Sequence, residues 1–482
     1  MSGRHPVDHA VYRPPDGSIP TLEVPSLDRM RLVHMIGIGG AGMSGIARLL
    51  IARDIRVTGS DLKDSPSLDE LRGMGATIFV GHRSDQVGHP DAVVVSIAIP
   101  QANPELVVAR ERGLRVLARA QMLAGLATRR RTLAVAGTHG KTTTTSMIAV
   151  LLERAGLDPS YLIGGDLNES GSGARAGRGD LFVFEADESD GSFLLTRPHV
   201  GVVTNVDIDH VDFYPGGRDE IESAFAAFVT SCEHVVACGD DAGVRSVLDA
   251  TGVAAVRYGI GGGNDLVVSI DELGPAGAVG RVRDASGAVA PVTMRVDGAH
   301  NLLNAAAAIG AAGLVGVDLT HAAAEMASFT GVHRRFEHRG SARGADFFDD
   351  YGHTPVEMAV TIETARRRLP RRVIALVQPH RYSRAQALWR ELGASVAGAD
   401  LVLVTDIDGA AQDPIPGVTG KLVADGVALA SPSTPVVYLP HRIDAIDYLE
   451  REVREGDLVL TMGCGDVWML GDAVLDRLGG GV

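Results

Sequence analysis

Short apolar runs rich in β-branched residues alternate along the chain with longer segments of helical character. The first series of runs covers residues 31–36, 55–59 and 92–96, the second 132–136, 181–184 and 200–205, and the third 347–349, 372–377, 400–405, 435–439 and 457–461. Strands that alternate with helices form parallel, doubly wound sheets. The pattern therefore predicts three α/β domains in tandem.

The domain boundaries are placed where one series of strands ends and the next begins. A chain of 482 residues exceeds what one hydrophobic core sustains. We predict a disordered tail at 1–26 and domains at 27–127, 128–338 and 339–482. Residues 253–296 are glycine-rich with short alternating runs, which predicts a small antiparallel insertion or edge. Residues 302–317 are predicted to form a buried, alanine-rich helix.

The composition excludes several classes of protein. Hydrophobic residues make up 45% and charged residues 22% of the chain, as in soluble globular proteins. The net charge of -15 would repel a phosphate backbone, so we expect no nucleic-acid partner. The cysteines, Cys232, Cys238 and Cys464, form no Cys-x-x-Cys spacing. The first 26 residues contain prolines, charges and no apolar run typical of a signal peptide, and no apolar run approaches the length of a membrane span. We expect a cytoplasmic protein without membrane insertion.

A phosphate-binding loop is predicted directly after the strand at 132–136. The loop reads Gly137, Thr138, His139, Gly140, Lys141, Thr142, Thr143. Glycines let backbone N–H groups turn toward phosphate oxygens, a lysine neutralises the outer phosphates, and the Thr142 hydroxyl suits Mg²⁺. Only three of the 45 basic residues are lysines, so Lys141 stands out. The loop is shorter than a Walker A motif, which weakens a general NTPase assignment, and a glycine turn that caps a helix is the alternative.

Acidic residues follow the next two predicted strands. Glu185, Asp187 and Glu188 come after the strand at 181–184, and Asp209 and His210 lie in the acidic segment after 200–205. In an open α/β sheet, ligands bind beyond the carboxyl ends of the strands, so both groups should face the phosphate loop. Their oxygens suit Mg²⁺, although each cluster alone is more typical of a helix cap or solvated loop.

A second glycine motif follows the first predicted strand. Gly37, Gly39 and Gly42 have Gly-x-Gly-x-x-Gly spacing, and Asp61 lies about 20 residues further on. Alone, this motif indicates a nicotinamide-dependent dehydrogenase. The same loop and helix N-terminus hold any pyrophosphate, however, so the motif is a weak signal of the ligand.

Five motifs in one order resemble those of the Mur ligases. They lie at 137–142, 185–193, 209–210, 298–305 and 334–337, and the resemblance covers the chain from about residue 30. It implies three tandem domains: an N-terminal Rossmann-like domain that binds a UDP-sugar, a central P-loop ATPase-like domain with a mixed sheet, and a C-terminal Rossmann-like domain. It also implies ATP and Mg²⁺ as cofactors of an amide-forming ligase.

The resemblance assigns an ATP site position by position. The implied ATP-binding residues are Gly137, Thr138, His139, Gly140, Lys141, Thr142, Thr143, Asn301, Asn304, Arg335 and Asp350. Within this set, Asn301 and Asn304 resemble the base contacts, and Asp350 the acid that holds the ribose. Alternatively, the two asparagines cap and line a helix. For Arg334 and Arg335 the alternative is that both are surface charges without a ligand.

The resemblance also implies catalytic residues and metal ligands. Lys141 would contact the β- and γ-phosphates and Arg335 the γ-phosphate. His353 would orient the incoming amine, and a structural role is the alternative. Thr142 and Glu185 are the implied ligands of one Mg²⁺ ion and His210 of a second.

Three further segments, 37–47, 349–355 and 378–384, resemble the branch of the family that joins L-alanine to UDP-N-acetylmuramate through an acyl phosphate. The alternative is the branch that attaches murein tripeptide in recycling. The implied UDP-sugar contacts are Gly37, Gly39, Gly40, Ala41, Gly42 and Asp61, and the implied amino-acid contacts are His353, Arg381 and Arg384. We expect a monomer or a weak homodimer.

Overall fold

The computed structural model describes residues 23–480 except 97, 190, 208–212, 215 and 411. Its strands are β1 Leu32–Ile36, β2 Arg56–Asp61, β3 Thr77–Val80, β4 Ala92–Val95, β5 Val116–Ala118, β6 Arg131–Ala136, β7 Ser160–Leu162, β8 Ala174–Arg175, β9 Leu181–Glu185, β10 Val200–Val203, β11 His234–Cys238, β12 Val256–Gly259, β13 Leu266–Gly274, β14 Gly277–Arg283, β15 Val289–Met294, β16 Glu337–Ala342, β17 Ala345–Asp350, β18 Arg372–Val377, β19 Leu401–Val404, β20 Val436–Tyr438 and β21 Asp457–Met462. Its helices are α1 Ala41–Ile51, α2 Pro66–Gly73, α3 Pro104–Glu111, α4 Arg119–Ala127, α5 Lys141–Arg154, α6 Arg218–Ser231, α7 Ala242–Thr251, α8 Ala299–Leu314, α9 Leu319–Glu325, α10 Pro355–Arg367, α11 Tyr382–Val396, α12 Lys421–Ala430, α13 Arg442–Glu452 and α14 Trp468–Arg477.

The first sheet has the strand order β3-β2-β1-β4-β5, and its strands are all parallel. The order reverses at β1, where one crossover goes to each side. In open α/β sheets such a switch point opens a crevice at the carboxyl ends of the strands. The glycine motif directly follows β1 and therefore lies at this switch point.

The second sheet has ten strands in the order β15-β14-β13-β12-β11-β10-β6-β9-β7-β8. Its centre is parallel, whereas β14 and β15 at one end and β7 and β8 at the other pair antiparallel. The glycine-rich segment is therefore an edge of the central sheet and not a separate insertion, since β12 pairs parallel with both β11 and β13. The predicted mixed sheet is confirmed.

The third sheet has the order β16-β17-β21-β18-β19-β20, with β16 antiparallel and the others parallel. Its central strands are buried on both faces and read as continuous apolar runs, which is why the sequence pattern locates them well. The edge strand β16 reads Glu-His-Arg-Gly-Ser-Ala and carries no such signal.

The described residues form two compact units. The first comprises the described residues within 23–272, 278–295 and 299–330, and the second those within 273–277, 296–298 and 331–480. The predicted first and central domains thus share one unit. Part of the reason is the approach of α1 to β7: a Cβ on Gly45 would lie 2.3 Å from Leu162 Cδ1, so glycine permits this packing. The boundaries at 127 and 338 stay predictions.

The alanine-rich segment forms α8, which is buried over most of its length. Across the described ranges no helix combines the length and apolarity needed to cross a bilayer. The predicted tail falls mainly at 1–22, outside the described residues. Residues 23–26 are described, and the Glu23 carbonyl accepts a hydrogen bond from Gln121 of α4.

Candidate active site

The phosphate loop joins β6 to α5 at the carboxyl end of the central sheet, as predicted. Gly137 has φ +137°, and a Cβ there would lie 2.0 Å from Thr204 Oγ1, so the position requires glycine. Gly140 has φ +79°, and its carbonyl accepts the first hydrogen bond of helix α5, from the Thr144 N–H. The N–H groups of a helix's first turn have no intrahelical acceptor and carry partial positive charge, so the start of α5 suits an anion.

The segment after β10 holds this loop in place. The His139 N–H donates to Asn205 Oδ1 at 2.8 Å, and Asn205 Nδ2 and Thr204 Oγ1 donate to the His139 carbonyl at 3.0 and 2.6 Å. The Thr138 N–H donates to the Asn205 carbonyl at 3.2 Å. Two loop amides therefore fix the loop instead of facing a phosphate, and the anion donors begin at Gly140. Sequence reasoning did not assign Asn205.

Lys141 forms an ion pair with Glu188 in the buried interior of the loop. Lys141 Nζ lies 2.7 Å from Glu188 Oε1 and 2.6 Å from the Gly137 carbonyl. Burial alone would lower the pKa of Lys141, but the carboxylates of Glu188 and Asp187 outweigh burial and raise it. Burial raises the pKa of Glu188 to about 7 against the opposing effect of Lys141. The ammonium is thus charged at neutral pH, and an incoming phosphate would replace Glu188 as its partner.

Asp187 and Arg119 extend this charged cluster. Burial raises the pKa of Asp187, but Lys141 and Arg119 lower it more, to about 2. Arg119 Nη2 lies 3.5 Å from Asp187 Oδ2, and Arg119 also borders the first glycine loop, where a Cβ on Gly42 would lie 2.8 Å from Nη1. Arg119, which the sequence did not indicate, thus lies between Gly42 of the first glycine motif and the carboxylate of Asp187.

Two of the predicted Mg²⁺ ligands, Glu185 and Thr142, lie among the described residues, and both offer oxygen atoms. Glu185 ends β9 next to β6, opposite Val135, and accepts a hydrogen bond of 2.7 Å from the Gly164 N–H. Thr142 lies in the first turn of α5 and is buried. A carboxylate and a hydroxyl are oxygen donors, which Mg²⁺ prefers. The third predicted ligand, His210, lies outside the described residues.

The structure places one predicted base contact beside the phosphate loop. Asn304 is buried on α8, and a Cβ on Gly140 would lie 3.1 Å from its Oδ1. Asn301 is one turn earlier on the same helix. The helix is therefore positioned for contact with a nucleotide, while the assignment of both asparagines to the base stays a prediction.

The first glycine loop is organised by Asp61. Its Oδ2 accepts a hydrogen bond of 2.8 Å from the Gly39 N–H, and α1 begins just after Gly40. A Cβ on Gly40 would meet only the Gly37 carbonyl at 3.7 Å, an ordinary contact, so the protein leaves open space there. The loop, the open space and the helix N-terminus fit a pyrophosphate.

In the second unit, the neighbours Arg334 and Arg335 differ in environment. Arg334 Nε donates to buried Asp349 at 2.8 Å, and its Nη atoms donate to the carbonyls of Gly465 and Gly463 at 2.9 and 2.6 Å. Arg335 is less enclosed, with its guanidinium 5.1 Å from the ring centre of Tyr351. The alternative of two surface charges is wrong for Arg334, which links the end of β17 to the segment after β21.

Asp350 is buried at the end of β17. Its carboxylate accepts hydrogen bonds from the N–H groups of Phe336 and Gly352, at 2.8 and 2.7 Å. Burial raises its pKa to about 6, although Arg335 opposes the change. The predicted contact to the ATP ribose is untested, and the structure adds that this carboxylate organises the loop after β17.

His353 lies in a tight cap at the start of α10. Thr354 is the N-cap, and Glu357 closes a capping box by accepting from the N–H groups of Thr354 and His353 at 3.2 and 3.1 Å. His353 Nδ1 lies 3.1 Å from the Tyr351 carbonyl. The cap fixes where the imidazole is presented.

His380 joins His353 to Arg384. The rings of His353 and His380 are 5.6 Å apart, and His380 Nδ1 lies 3.4 Å from Nη1 of buried Arg384. Arg381 has a φ of +65°, which is uncommon for a non-glycine residue, and its N–H donates to the Asp408 carbonyl at 2.8 Å. The loop at Asp408 therefore supports the segment that carries both predicted arginines.

Three family models match the chain in the order of the domains. The Mur ligase family catalytic domain matches residues 32–131, the Mur ligase middle domain 135–312, and the Mur ligase glutamate ligase domain 334–465. Together they span most of the sequence.

The chain belongs to the Mur ligase family.

Curated relatives and solved structures resemble this Mur ligase over nearly its whole length. UDP-N-acetylmuramate–L-alanine ligases from Thermobifida fusca and Mycobacterium sp. (strain JLS) are 44% and 45% identical, over 94% of this chain and 98% and 96% of theirs. The crystal structure of the UDP-N-acetylmuramate-alanine ligase from Thermotoga maritima has a TM-score of 0.78 at 28% identity, covering 94% of this chain and 99% of that one. A murein peptide ligase from Psychrobacter arcticus has a TM-score of 0.71 at 26% identity, covering 93% and 99%.

Proposed function

We propose that this Mur ligase joins L-alanine to UDP-N-acetylmuramate, with ATP converted to ADP and phosphate. The observation that carries the proposal is the charged Lys141, held beside three carboxylates at the carboxyl end of the central sheet. Relatives at 44% to 45% identity that carry this activity in their names support the choice of substrates. We place the reaction in the cytoplasm, as part of peptidoglycan synthesis.

A carboxylate does not form an amide in water until one of its oxygens is converted into a good leaving group. The muramyl carboxylate attacks the γ-phosphorus of ATP, which forms an acyl phosphate and releases ADP. The alanine amine then attacks the acyl carbon, and phosphate leaves with the C–O bond electrons while the amine loses a proton. The protein contributes positioning and charge neutralisation, with Lys141 and Arg335 as the cations on the transferred group.

Mg²⁺ would be held by Thr142 and Glu185, with His210 as the proposed ligand of a second ion. When bound, the metal neutralises charge on the phosphate oxygens. Glu185 is already oriented by the Gly164 N–H, so one of its oxygens is fixed before any metal arrives. Pre-oriented ligands of this kind reduce the ordering that binding would otherwise require.

The amino acid is assigned to the second unit. Arg384 is buried in the first turn of α11, and Arg381 is the N-cap residue just before that helix. A planar guanidinium pairs well with a carboxylate. His353, fixed by its cap, is proposed to orient the amine. Because a pocket distinguishes one methyl group by only about 1 to 3 kcal/mol, glycine and serine are expected to be slow alternative substrates.

The choice of L-alanine over murein tripeptide is tested by direct competition. With both offered at equal concentration and UDP-N-acetylmuramate and ATP saturating, mass spectrometry should find the alanyl product in large excess. A dominant tripeptide product would move the chain to the recycling branch. A nucleotide-gated scaffold would bind ATP and form neither product.

The first glycine loop should bind the UDP-sugar and not a nicotinamide dinucleotide. Calorimetry is expected to show binding of UDP-N-acetylmuramate and none of NAD. Gly40→Ala should lower the affinity by about tenfold or more, about 1.4 kcal/mol, because the added methyl enters the space meant for the diphosphate. The melting temperature should stay unchanged, since that methyl meets no protein atom closely. Tight NAD binding, or unchanged affinity in Gly40→Ala, would reverse the assignment.

Activity should not depend on dissolved bicarbonate. Several Mur ligases complete a metal site with a lysine carbamylated by CO₂ in the helical region after the Asp-His motif. Here α6 contains no lysine, and none occurs between Lys141 and Lys421. Assays in CO₂-depleted buffer should therefore match assays with added bicarbonate. Reversible rescue by bicarbonate would show that the proposed metal ligands are incomplete.

A further inference from the structure

Two histidines and a cysteine converge at the carboxyl ends of three neighbouring strands of the third sheet. His353 follows β17, His380 follows β18, and Cys464 follows β21, which lies between those two strands. Ligand atoms from the three side chains all lie within 4.8 Å of one another. We propose that this His–His–Cys cluster is a zinc site through which zinc inhibits the enzyme.

The donor set matches zinc and not magnesium. Imidazole nitrogen and thiolate sulfur are ligands of Zn²⁺, whereas Mg²⁺ takes oxygen. Tetrahedral zinc, with bonds of about 2.0 Å to nitrogen and 2.3 Å to sulfur, separates its ligand atoms by roughly 3.3 to 3.5 Å. Side-chain rotations that draw the three atoms together by at most about 1.5 Å would complete the site, and a fourth position would stay open for water.

Some neighbouring groups favour metal binding at this cluster and others oppose it. The Tyr351 carbonyl, 3.1 Å from His353 Nδ1, favours a proton on that nitrogen and leaves the other ring nitrogen with its lone pair for a metal. Arg384 opposes it, because its guanidinium lies 3.4 Å from His380 Nδ1 and must be the donor there.

Charges near Cys464 are mixed, and the thiol must lose its proton to bind. Asp408 and Glu357 are the nearby anions, and Arg384 and Arg334 the nearby cations. Burial raises the pKa of the Cys464 thiol to about 12, so the metal-free protein keeps it protonated. Zinc binding therefore releases a proton and should be weaker at lower pH.

The inhibition follows from the residues that zinc would occupy, and this step rests on the proposed function. A metal bound to His353 and His380 would occupy the His353 imidazole, which is proposed to orient the alanine amine. Its positive charge would also repel Arg384, which is proposed to bind the alanine carboxylate. Zinc should therefore raise the KM for L-alanine more than the KM for ATP.

Metal binding is tested first, on the full chain and without any activity measurement. Co²⁺ titration should produce the sulfur-to-cobalt charge-transfer absorption that marks a thiolate ligand. Cys464→Ser should abolish this absorption and weaken zinc binding, measured against a chromophoric chelator, by tenfold or more. His234→Asn is the matched control, because His199, Glu233 and His234 form another metal-capable group among the described residues. That group lies at the amino ends of β10 and β11, in the first unit. Absence of the thiolate absorption in the wild type, or unchanged zinc affinity in Cys464→Ser, would overturn the proposal.

Two further measurements keep the proposal testable if a variant folds poorly. Zinc should slow alkylation of Cys464 in the wild type at least tenfold, as followed by peptide mass spectrometry, and equal rates with and without zinc would contradict the site. In assays at saturating Mg²⁺, zinc should inhibit the wild type in competition with L-alanine and leave Cys464→Ser at least tenfold less sensitive; equal sensitivity would refute the inhibitory role. Failure of the proposed function would appear separately, as absence of amide product in chelator-treated, zinc-free buffer.

Discussion

Replacing Lys141 with alanine should lower the rate of ATP-dependent phosphate release by about 10²-fold or more. The loss of one preorganised donor to a transition state has an effect of this size. Lys141 is also the residue whose charge the buried carboxylates of Glu188 and Asp187 maintain. The measurement is steady-state phosphate release with UDP-N-acetylmuramate and L-alanine saturating.

The chain offers a matched control for this variant. Lys421 is exposed on α12, where it pairs with Asp425 one turn away, so Lys421→Ala removes the same side chain from a solvated surface. Its activity should stay near that of the wild type. If Lys141→Ala folds normally and releases phosphate as fast as Lys421→Ala does, the catalytic assignment fails.

Replacing Arg334 with methionine should destabilise the second unit by about 3 to 5 kcal/mol. The change leaves Asp349, which is fully buried, without its charge partner, and losses of this size follow when one member of a buried pair is removed. Two strand-end carbonyls also lose their donors. Calorimetry should show the corresponding transition lowered by about 6 °C or more.

The loss of stability in Arg334→Met should be larger at neutral pH than in acid. Burial raises the pKa of Asp349 in the wild type, with Arg334 opposing that effect. Without Arg334 the folded pKa rises further above the unfolded value, so the cost of the buried carboxylate grows as pH rises through the folded pKa. The deficit should therefore shrink in acid, and a constant deficit would contradict this explanation.

Arg335→Met is the matched control for the adjacent position. The Arg335 side chain is 29% exposed, against 13% for Arg334, and its ion pair with Glu357 is longer, at 4.0 Å against 2.8 Å for Arg334 and Asp349. This variant should lose activity with little change in melting temperature. Equal stability losses in the two variants would refute the division of roles.

Strands buried on both faces could be predicted from the sequence, and strands at edges could not. The run at 372–377 coincides with β18, because a strand covered on both sides must be apolar throughout. β16 and β8 pair at edges and contain polar or very short sequences, so no apolar run marks them. The sequence likewise places the phosphate loop, since its glycines and lysine are local.

Site residues that act through tertiary contacts carry no local signal. Asn205 holds the phosphate loop through hydrogen bonds across 66 residues of sequence, and its motif context suggests only an acidic segment. Arg119 starts an otherwise ordinary helix, and only the fold brings it to Asp187 and Gly42. His380 lies within the segment 378–384, but its position between His353 and Arg384 depends on the order of the strands.

The central claim is most directly tested by incubating the purified protein with ATP, Mg²⁺, UDP-N-acetylmuramate and L-alanine and following product and phosphate together. Mass spectrometry should find UDP-N-acetylmuramoyl-L-alanine, formed one to one with phosphate, and omission of any substrate should stop both. Phosphate release without amide, or amide formation without ATP, would contradict the account.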